Sequence, residues 1–591
     1  MKKIKIVFSE IVYIIKTLLK FKKINIILYI LITSLIGLAP AFQLRILDNI
    51  LDFTRVSDTQ VALINGGVLI LIGALVVALL HSIDYVSMLM NSVLANRITY
   101  NLDNAIISKM KEIDLASFDD PNFLNFHENA KEQSEGSILE TVAIGNVFIT
   151  TIISIIGYVV LVSEFNILIL FIILLTLIPS IIFQMLYKKK HYNFFIEQAL
   201  FRRKRQYYLD VLTNKSFYKE RRCFGYEKYF EDRKKREFEK FAKSNYQLHL
   251  KESIWSFINR SIGHIGSSLC IIWVFIEIIN RKFEPIRFAT TYFAINSLED
   301  ALSGIFSVAS TGYENFLYFD LLYKFLTMKP TLKNGHIKVN TNIKSHIIDF
   351  KDVWFQYPNT QIYTLKGISF SMTTSEKILI VGQNGSGKST IIKLILRYYD
   401  VTKGEILIDG INIKEFERLD LMNLFSVVFQ DYNQYSLTLK DNIKIGSINC
   451  EINADCIENK LNIDEMAENL PNGLDTELTK LFEENATDLS VGQWQRIALL
   501  RMFNKNAPIV IFDEPTAALD TIAESEIHKI INSYDDNKLV IFISHMILNT
   551  KIASKIIVVE NGIVSGIGTH KELYNKNREY TLLHDSITHQ N

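Results

Sequence analysis

The stretch GQNGSGKST at residues 382–390 fits the pattern GxxxxGKS, and its flanks are the ones that pattern needs. Residues 378–381 read as a buried strand before it, and residues from Ile391 onward as a helix after it. A loop so placed turns successive backbone N–H groups inward on phosphate oxygens, and the helix N-terminus adds a favourable dipole. Gly382, Gln383, Asn384, Gly385, Ser386 and Gly387 form the cradle, Lys388 brings a point charge to the β/γ oxygens, and Ser389 and Thr390 open the helix. Ser389 is also placed to ligate Mg2+. Alone, the loop indicates only a nucleotide.

Downstream, IVIFDE at residues 509–514 reads as a hydrophobic strand ending in Asp513 and Glu514. A strand tip can hold two carboxylates beside the nucleotide, Asp513 reaching Mg2+ through water and Glu514 polarising the water that attacks the γ-phosphate. Either acid by itself would read as a solvated strand end; with the phosphate loop upstream, the nucleotide reading prevails.

With these motifs and with LSVGQWQR at residues 489–496, the chain resembles an ATP-binding cassette (ABC) transporter, specifically a half-transporter of the exporter type. The resemblance covers nearly the whole chain. It implies that Tyr357 in WFQYP stacks on adenine and that Gln430 in VVFQD senses Mg2+ and the membrane domain. It assigns Asp520 in AALD to the dimer contact and His545 in FISHM to the γ-phosphate switch. Bland readings stand beside these: surface packing for Tyr357, a strand-end polar group for Gln430, a helix cap for Asp520, a core histidine for His545.

The segment LSVGQ is similar to the family signature LSGGQ, which opens a helix aimed at the ATP held by another subunit. Ser490, Gly492 and Gln493 match; Val491 departs, and a β-branched side chain disfavours positive φ and adds bulk. Because the family closes each ATP site with the signature of a second subunit, the resemblance implies a dimer. A homodimer is favoured, and a heterodimer with a second half-transporter stays open.

Composition agrees with a two-part membrane protein: 591 residues, 49% hydrophobic, with positive mean hydropathy. Net charge is only +1, so no polybasic field argues for nucleic acid. Cysteines 223, 270, 450 and 456 show no metal-ligand pairing, and reduced thiols are the default. Six apolar stretches, 25–46, 61–83, 139–162, 166–187, 257–278 and 288–309, are each long enough to span a bilayer, which takes about 20 residues. Lysines and arginines cluster before the first and after the fourth, which by the positive-inside rule puts both termini and the nucleotide-binding part in the cytosol.

The expected architecture is therefore an amphipathic elbow helix (1–23), a six-helix all-α transmembrane domain of the type IV exporter class (24–330), a linker (331–345) and an α/β P-loop ATPase domain (346–591). The elbow would lie on the inner face of the lipid bilayer; the Ile, Lys and Asn bias suggests an A+T-rich bacterial genome, and the expected location is the bacterial inner (cytoplasmic) membrane. Two polar segments, LASFDDPNFLNFHENA from Leu115 and FYKERRCFGYEKYF from Phe217, resemble the intracellular coupling segments of ABC exporters and would contact the surface around Gln430.

Substrate readings are thinner. Ionisable groups fall in or near the spans: His81 with Asp84, Arg260 with His264, and Glu299 with Asp300. Such groups usually face the bundle interior or a wet cavity, so the last pair could attract a cationic substrate or pair with Arg260. The run GQWQ around Trp494 resembles exporters of ribosomally made peptides such as lantibiotics and other bacteriocins, although Trp494 could simply pack on a helix face. Too few residues precede the first span for a leader peptidase domain. Drugs or lipids are the runner-up substrates, and a regulatory membrane ATPase is the alternative class.

Overall fold

A computed structural model describes residues 23–53, 59–197, 199–281, 284–340, 345–448, 463–505, 507–514, 531, 537–543 and 552–588. The expected elbow helix, Asp520, His545, Cys450 and Cys456 lie outside the described residues, as does the side chain of His81. The chain divides into two compact units, Met1–Glu112 with Pro121–Lys329, and Ile113–Asp120 with Pro330–Asn591.

The first unit is helical: α1 (Lys23–Phe53), α2 (Thr59–Glu112), α3 (Pro121–Ser163), α4 (Ile167–Glu197), α5 (Ala199–Thr213), α6 (Lys215–Phe224), α7 (Glu227–Ile279) and α8 (Phe288–Thr327). Each expected apolar stretch falls within one helix, but the helices run on well past the apolar residues. With 54 residues α2 is about 80 Å long at 1.5 Å per residue, far more than the ~30 Å of a hydrocarbon core. Among the described residues, four helical segments are long and apolar enough to cross a membrane, Leu28–Phe53, Leu63–Glu112, Ala143–Ser163 and Glu227–Ile279, and Ile167–Pro179 is a shorter apolar run.

These helices approach closely where side chains are small, as helices do when no hydrophobic effect drives them together. A Cβ on Gly157 of α3 would lie 2.5 Å from the Ala41 Cβ of α1, and one on Gly266 of α7 would lie 2.5 Å from the Thr176 Cγ2 of α4. Tyr158, Val162, Ile169, Ile173, Cys270, Ile295 and Leu298 form the buried centre, whereas Leu63, Leu71, Leu89 and Phe171 point outward.

The polar continuations of α4 and α7 pair antiparallel. Phe201 stacks on Phe241 with ring centroids 4.5 Å apart, Lys204 meets Glu237 at 3.4 Å, and Tyr208 packs on Phe230. At the tip, α6 is capped at its start by the Asn214 side chain, which accepts from the Ser216 N–H, and stopped by Gly225 at φ +60°. The second coupling segment thus occupies the end of a long helical arm.

The second unit contains a four-stranded antiparallel sheet in the order β2-β1-β4-β5, from β1 (Ile347–Phe355), β2 (Leu365–Thr373), β4 (Lys403–Ile408) and β5 (Ile411–Asn412). A six-stranded sheet follows the order β10-β9-β3-β8-β7-β6, with β3 (Lys377–Val381), β6 (Phe425–Val428), β7 (Ile509–Asp513), β8 (Leu539–Ile543), β9 (Lys555–Glu560) and β10 (Ile563–Gly568). All its pairs are parallel except β10 with β9. The central strands are continuously apolar because both faces are buried. Ile509 and Ile511 point into the core shared with β1, β2, β4 and α9 (Lys388–Ile395), and Val510 and Phe512 into the core shared with α10 (Val491–Lys505).

Within the expected linker, residues 335–337 are bonded to the cassette: the Gly335 N–H donates to Phe416 O (3.2 Å) and the His336 and Ile337 N–H groups both donate to Glu415 O (2.9 Å). The short helical turn Leu115–Asp119 belongs to the ATPase unit, and Ala116 packs on its core. Asp114 is fully buried, its Oδ2 accepting from Thr331 Oγ1 at 2.9 Å and the Leu332 N–H at 2.6 Å while Oδ1 takes the Arg418 guanidinium. Tyr399 donates its hydroxyl to Asp119 Oδ2 at 2.8 Å. Burial first, and Asp119 second, hold the Tyr399 phenol well above its usual range.

Candidate functional site

The site is built at the carboxyl ends of four adjacent parallel strands, the edge at which open α/β sheets place ligands. β3 feeds the phosphate loop, β7 ends in Asp513 and Glu514, and β6 leads to Gln430, with β8 between β3 and β7.

Gly382 leaves β3 at φ +157°, and a Cβ there would lie 2.1 Å from Val559 O. Gly387 at φ +110° is the residue before α9, and a Cβ on it would lie 2.7 Å from Leu365 Cδ2. Only glycine meets both demands. Lys388 is buried, and its ammonium donates back to Gly382 O (2.8 Å) and Gln383 O (2.9 Å). Burial lowers its pKa, and the charges of Glu514 and Asp513 act in the opposite sense. The loop is thus folded around its own lysine, whose ammonium is held at the mouth of the phosphate cradle.

Asp513 carries the largest carboxylate perturbation at the site. Burial, then the charges of Glu514 and Asp431, push its carboxyl up to about 6. Its Oδ1 is buried with no hydrogen-bond partner among the described residues. A buried, electron-rich, unpartnered carboxylate oxygen beside a phosphate loop is a fitting donor for a hard divalent cation, with Ser389 the matching hydroxyl.

Glu514 sits at φ +50°, a left-handed conformation that non-glycine residues enter at a penalty of about 1–3 kcal/mol. Its N–H is held by Ile543 O at 3.1 Å, and Gln430 Nε2 donates to its Oε2 at 3.0 Å. The reversal lifts the carboxylate out of the strand line and keeps it beside Asp513. Such a group can accept a proton from a polarised water.

Tyr357 donates or accepts a 3.0 Å hydrogen bond with Thr390 Oγ1, packs edge-on to Phe355 and Tyr399, and has Lys393 Nζ 5.5 Å from its ring centre. The structure therefore ties it to the phosphate-loop helix.

At the signature, the Ser490 hydroxyl accepts from the Gln493 N–H (3.3 Å) while the Gln493 side chain accepts from the Ser490 N–H (2.9 Å), a reciprocal capping box that opens α10. Val491 is the first residue of that helix and is not among the positive-φ residues, so its departure from glycine carries no backbone strain. Its side chain is 57% exposed, so only added bulk remains. Trp494 is buried in the core behind α10, which makes it a packing residue.

Sequence reading missed Arg501. From α10 its guanidinium donates to Asn433 O (2.7 Å), Asn442 O (2.8 Å) and Asn442 Oδ1 (2.5 Å) and lies 4.8 Å from the centre of the Tyr435 ring. Tyr432 also donates to Val491 O at 3.0 Å. The loop that begins at Gln430 is thus tied to Glu514 at one end and to the signature helix at the other. In the sequence Arg501 stands among the apolar residues of the second half of α10, and nothing local names its partners.

In the helical unit, Glu299 is buried, with its Oε1 3.5 Å from His264 Nδ1, and Asp300 is exposed. Glu299 thus meets His264, the other member of the Arg260–His264 pair.

A phosphate loop, a strand-end carboxylate pair and a capped signature helix, fused to long apolar helices, define a membrane ATPase whose nucleotide cassette and helical part share one chain. Residues 365–517 match the ABC transporter family. The subtilin transport ATP-binding protein SpaT of Bacillus subtilis is 31% identical over 520 residues, 86% of this chain and 83% of that protein. A putative multidrug export ATP-binding/permease protein of Staphylococcus aureus is 39% identical over 255 residues, 43% of each chain. A bacterial Atm1-family ABC exporter solved with ATP bound has the same fold, with a TM-score of 0.82 and 20% identity over 95% of this chain and 97% of that one. The chain belongs to the ABC transporter family, as an ATP-hydrolysing half-exporter with fused membrane and nucleotide-binding parts.

Proposed function

We propose that this exporter moves a ribosomally made peptide, of the lantibiotic or bacteriocin precursor class, out of the bacterial cytoplasm. The observation that carries this reading is the reach of the likeness: the subtilin transport protein matches over 86% of the chain, helical unit included, whereas the multidrug exporter matches over 43%. Substrate choice in such proteins resides in the membrane part, so the longer match bears on it more.

In this reading six helices per chain cross the inner membrane, the cassette faces the cytosol, and two copies of the chain form the working unit. ATP sits in the phosphate loop, with adenine against Tyr357 and Mg2+ held by Ser389, Gln430 and Asp513. Ser490, Gly492 and Gln493 of the second copy close the site, and Asp520 and His545 complete it. Glu514 accepts the proton of the attacking water, and Gln430 holds that carboxylate in line, as the 3.0 Å bond between them supports. Closure of the cassettes drives the helical arms through the two coupling segments, and hydrolysis reopens them.

The experiment is ATPase activity of the chain purified alone in lipid nanodiscs, with Glu514→Gln as control and leader peptides, cationic drugs and lipids as stimulants. Activity that is lost in the control and stimulated by peptide supports a homodimeric peptide exporter. Stimulation by drugs or lipids alone overturns the substrate reading, and activity that needs a second ABC chain overturns the homodimer.

A further inference from the structure

The polar arm formed by α4 and α7 carries a cluster that the ATPase cycle does not use. His191 Nε2 of α4 lies 2.9 Å from Glu252 Oε2 of α7, and His249 Nδ1, one turn before Glu252 on the same helix face, lies 3.2 Å from that same oxygen. All three donor atoms lie within 4.8 Å of one another. His191 and Glu252 are 18% and 29% exposed, and His249 is 54% exposed.

We propose that His191, His249 and Glu252 form a binding site for a divalent transition-metal cation, Zn2+ foremost. Two imidazoles and one carboxylate are the donor set of three-ligand zinc sites that keep a fourth position for water. With metal–ligand bonds of about 2.0–2.2 Å, neighbouring ligands of a tetrahedral zinc stand roughly 3.3 Å apart. The two measured edges, 2.9 and 3.2 Å, are already near that spacing. Only the edge between the two imidazole nitrogens has to adjust, and a ring rotation of the half-exposed His249 supplies that freedom. Without metal, both histidines meet the same carboxylate oxygen, at 2.9 and 3.2 Å. A cation that accepts all three lone pairs uses the convergence in a way that hydrogen bonding does not.

The location gives the site a consequence. Tyr187 and Trp255 each pack on Phe183, and residues of these types mark the membrane–water interface. His191 lies one helical turn beyond Tyr187 and Glu252 one turn before Trp255, on the polar side of that layer. From Glu252, α7 runs back roughly 38 Å, at 1.5 Å per residue, to its start at Glu227 beside the tip that carries α6. A metal joining α4 to α7 at the root of the arm fixes their register and resists the sliding that would move the tip. Occupancy therefore tunes how strongly substrate stimulates ATP hydrolysis and leaves the nucleotide site itself unaltered.

The test uses the full chain in nanodiscs, freed of any affinity tag and stripped with EDTA. Zn2+ is titrated in competition with a chromophoric chelator, and Co2+ is added separately as an absorption probe of tetrahedral ligation. The expected result is one tight site per chain, with affinity falling at least about tenfold in His191→Ala and in Glu252→Gln. His191→Ala should also abolish any change that Zn2+ makes to peptide-stimulated ATPase, while its ATPase without Zn2+, measured after EDTA is removed and excess Mg2+ restored, equals that of the parent chain and so reports intact folding. Absence of a tight site in the parent chain, or binding undiminished in both variants, overturns the proposal; the second result would place the metal elsewhere, on the cysteines for example.

Discussion

Asp114 and Arg418, 304 residues apart in the chain, form an ion pair in which the carboxylate is fully buried. The same carboxylate receives Thr331 Oγ1 and the Leu332 N–H, so one side chain ties the start of the turn Leu115–Asp119 to residues 331–332 and to the residue that opens the helix Arg418–Leu421. Tyr399 to Asp119 is the second tie. A segment fastened at both ends moves with the unit it is fastened to.

Removing Asp114 leaves three donors without their acceptor in a buried place. Asp114→Ala should lower the stability of the full chain by ~3–5 kcal/mol, the scale for breaking a buried pair from one side. Arg418→Ala should cost less, since Arg418 is 27% exposed and the Thr331 and Leu332 bonds survive. A double-mutant cycle by thermal unfolding should give a coupling energy within ~0.5–3 kcal/mol, and additive effects would remove the pair from the account.

Glu514→Gln keeps the side-chain shape and an oxygen for Gln430 but removes the proton acceptor. Hydrolysis should fall by about 10²–10⁴-fold with ATP binding retained. Lys388→Ala removes the ammonium bonded to the loop carbonyls and should weaken nucleotide binding itself. Equilibrium binding of labelled ATP separates the two, and ordinary turnover in either variant contradicts these roles.

Asp513 predicts a pH effect of definite sign. Its carboxyl is raised from 3.8 to about 6, so between those values the folded chain holds a proton that the unfolded chain has released. Stability falls as pH rises through that window and stays lowered above it. At pH 7.5 in EDTA without nucleotide, Asp513→Asn should therefore melt a few degrees higher than the parent while losing Mg2+-dependent hydrolysis. A lower melting temperature would mean that the charged form is stabilised by contacts other than those seen.

What was legible in the sequence is what is local. The phosphate loop, the strand-end acids and the signature are each contiguous, and their geometry follows from a strand, a turn and a helix in immediate succession. The apolar stretches fall in helices because hydropathy over about 20 residues is a local sum. Asp114 and Arg501 were not legible because their partners are distant in sequence and an isolated charge carries no period. The choice of His264 over Arg260 as the neighbour of Glu299 depends on how α7 is rotated against α8, which spacing along one helix does not give. Trp494 suggested a substrate class, yet the side chain fills a core.

Val491 and Ser490 test the signature from opposite sides. Because Val491 already has helical φ, Val491→Gly relieves no strain and adds helix-end freedom; ATPase activity should change by less than about threefold, in line with the ~0.5–1 kcal/mol that glycine costs within a helix. Ser490→Ala dismantles the capping box, which is worth ~0.5–2 kcal/mol, and also removes the hydroxyl proposed to reach the partner's ATP. It should lower activity far more than Val491→Gly does. A large gain from glycine would show that bulk at this position limits the closed dimer.

Glu299 and Asp300 are neighbours in sequence with opposite surroundings, and this separates two explanations of their charge. Glu299 packs so tightly that a Cβ on Gly263 would stand 2.5 Å from its Oε1, and His264 lies 3.5 Å from the same oxygen. Glu299→Gln should therefore disturb the α7–α8 contact and reduce peptide-stimulated ATPase, and Gly263→Ala should do the same by displacing an intact carboxylate. Asp300 is exposed, so Asp300→Asn should leave the stimulation unchanged if the buried acid is the one that matters. The measurement is ATPase rate against peptide concentration in nanodiscs for the three variants, with the unstimulated rate as the internal control. Loss of stimulation in Asp300→Asn alone would move the substrate contact to the outward-facing acid and leave Glu299 as a partner of His264 only.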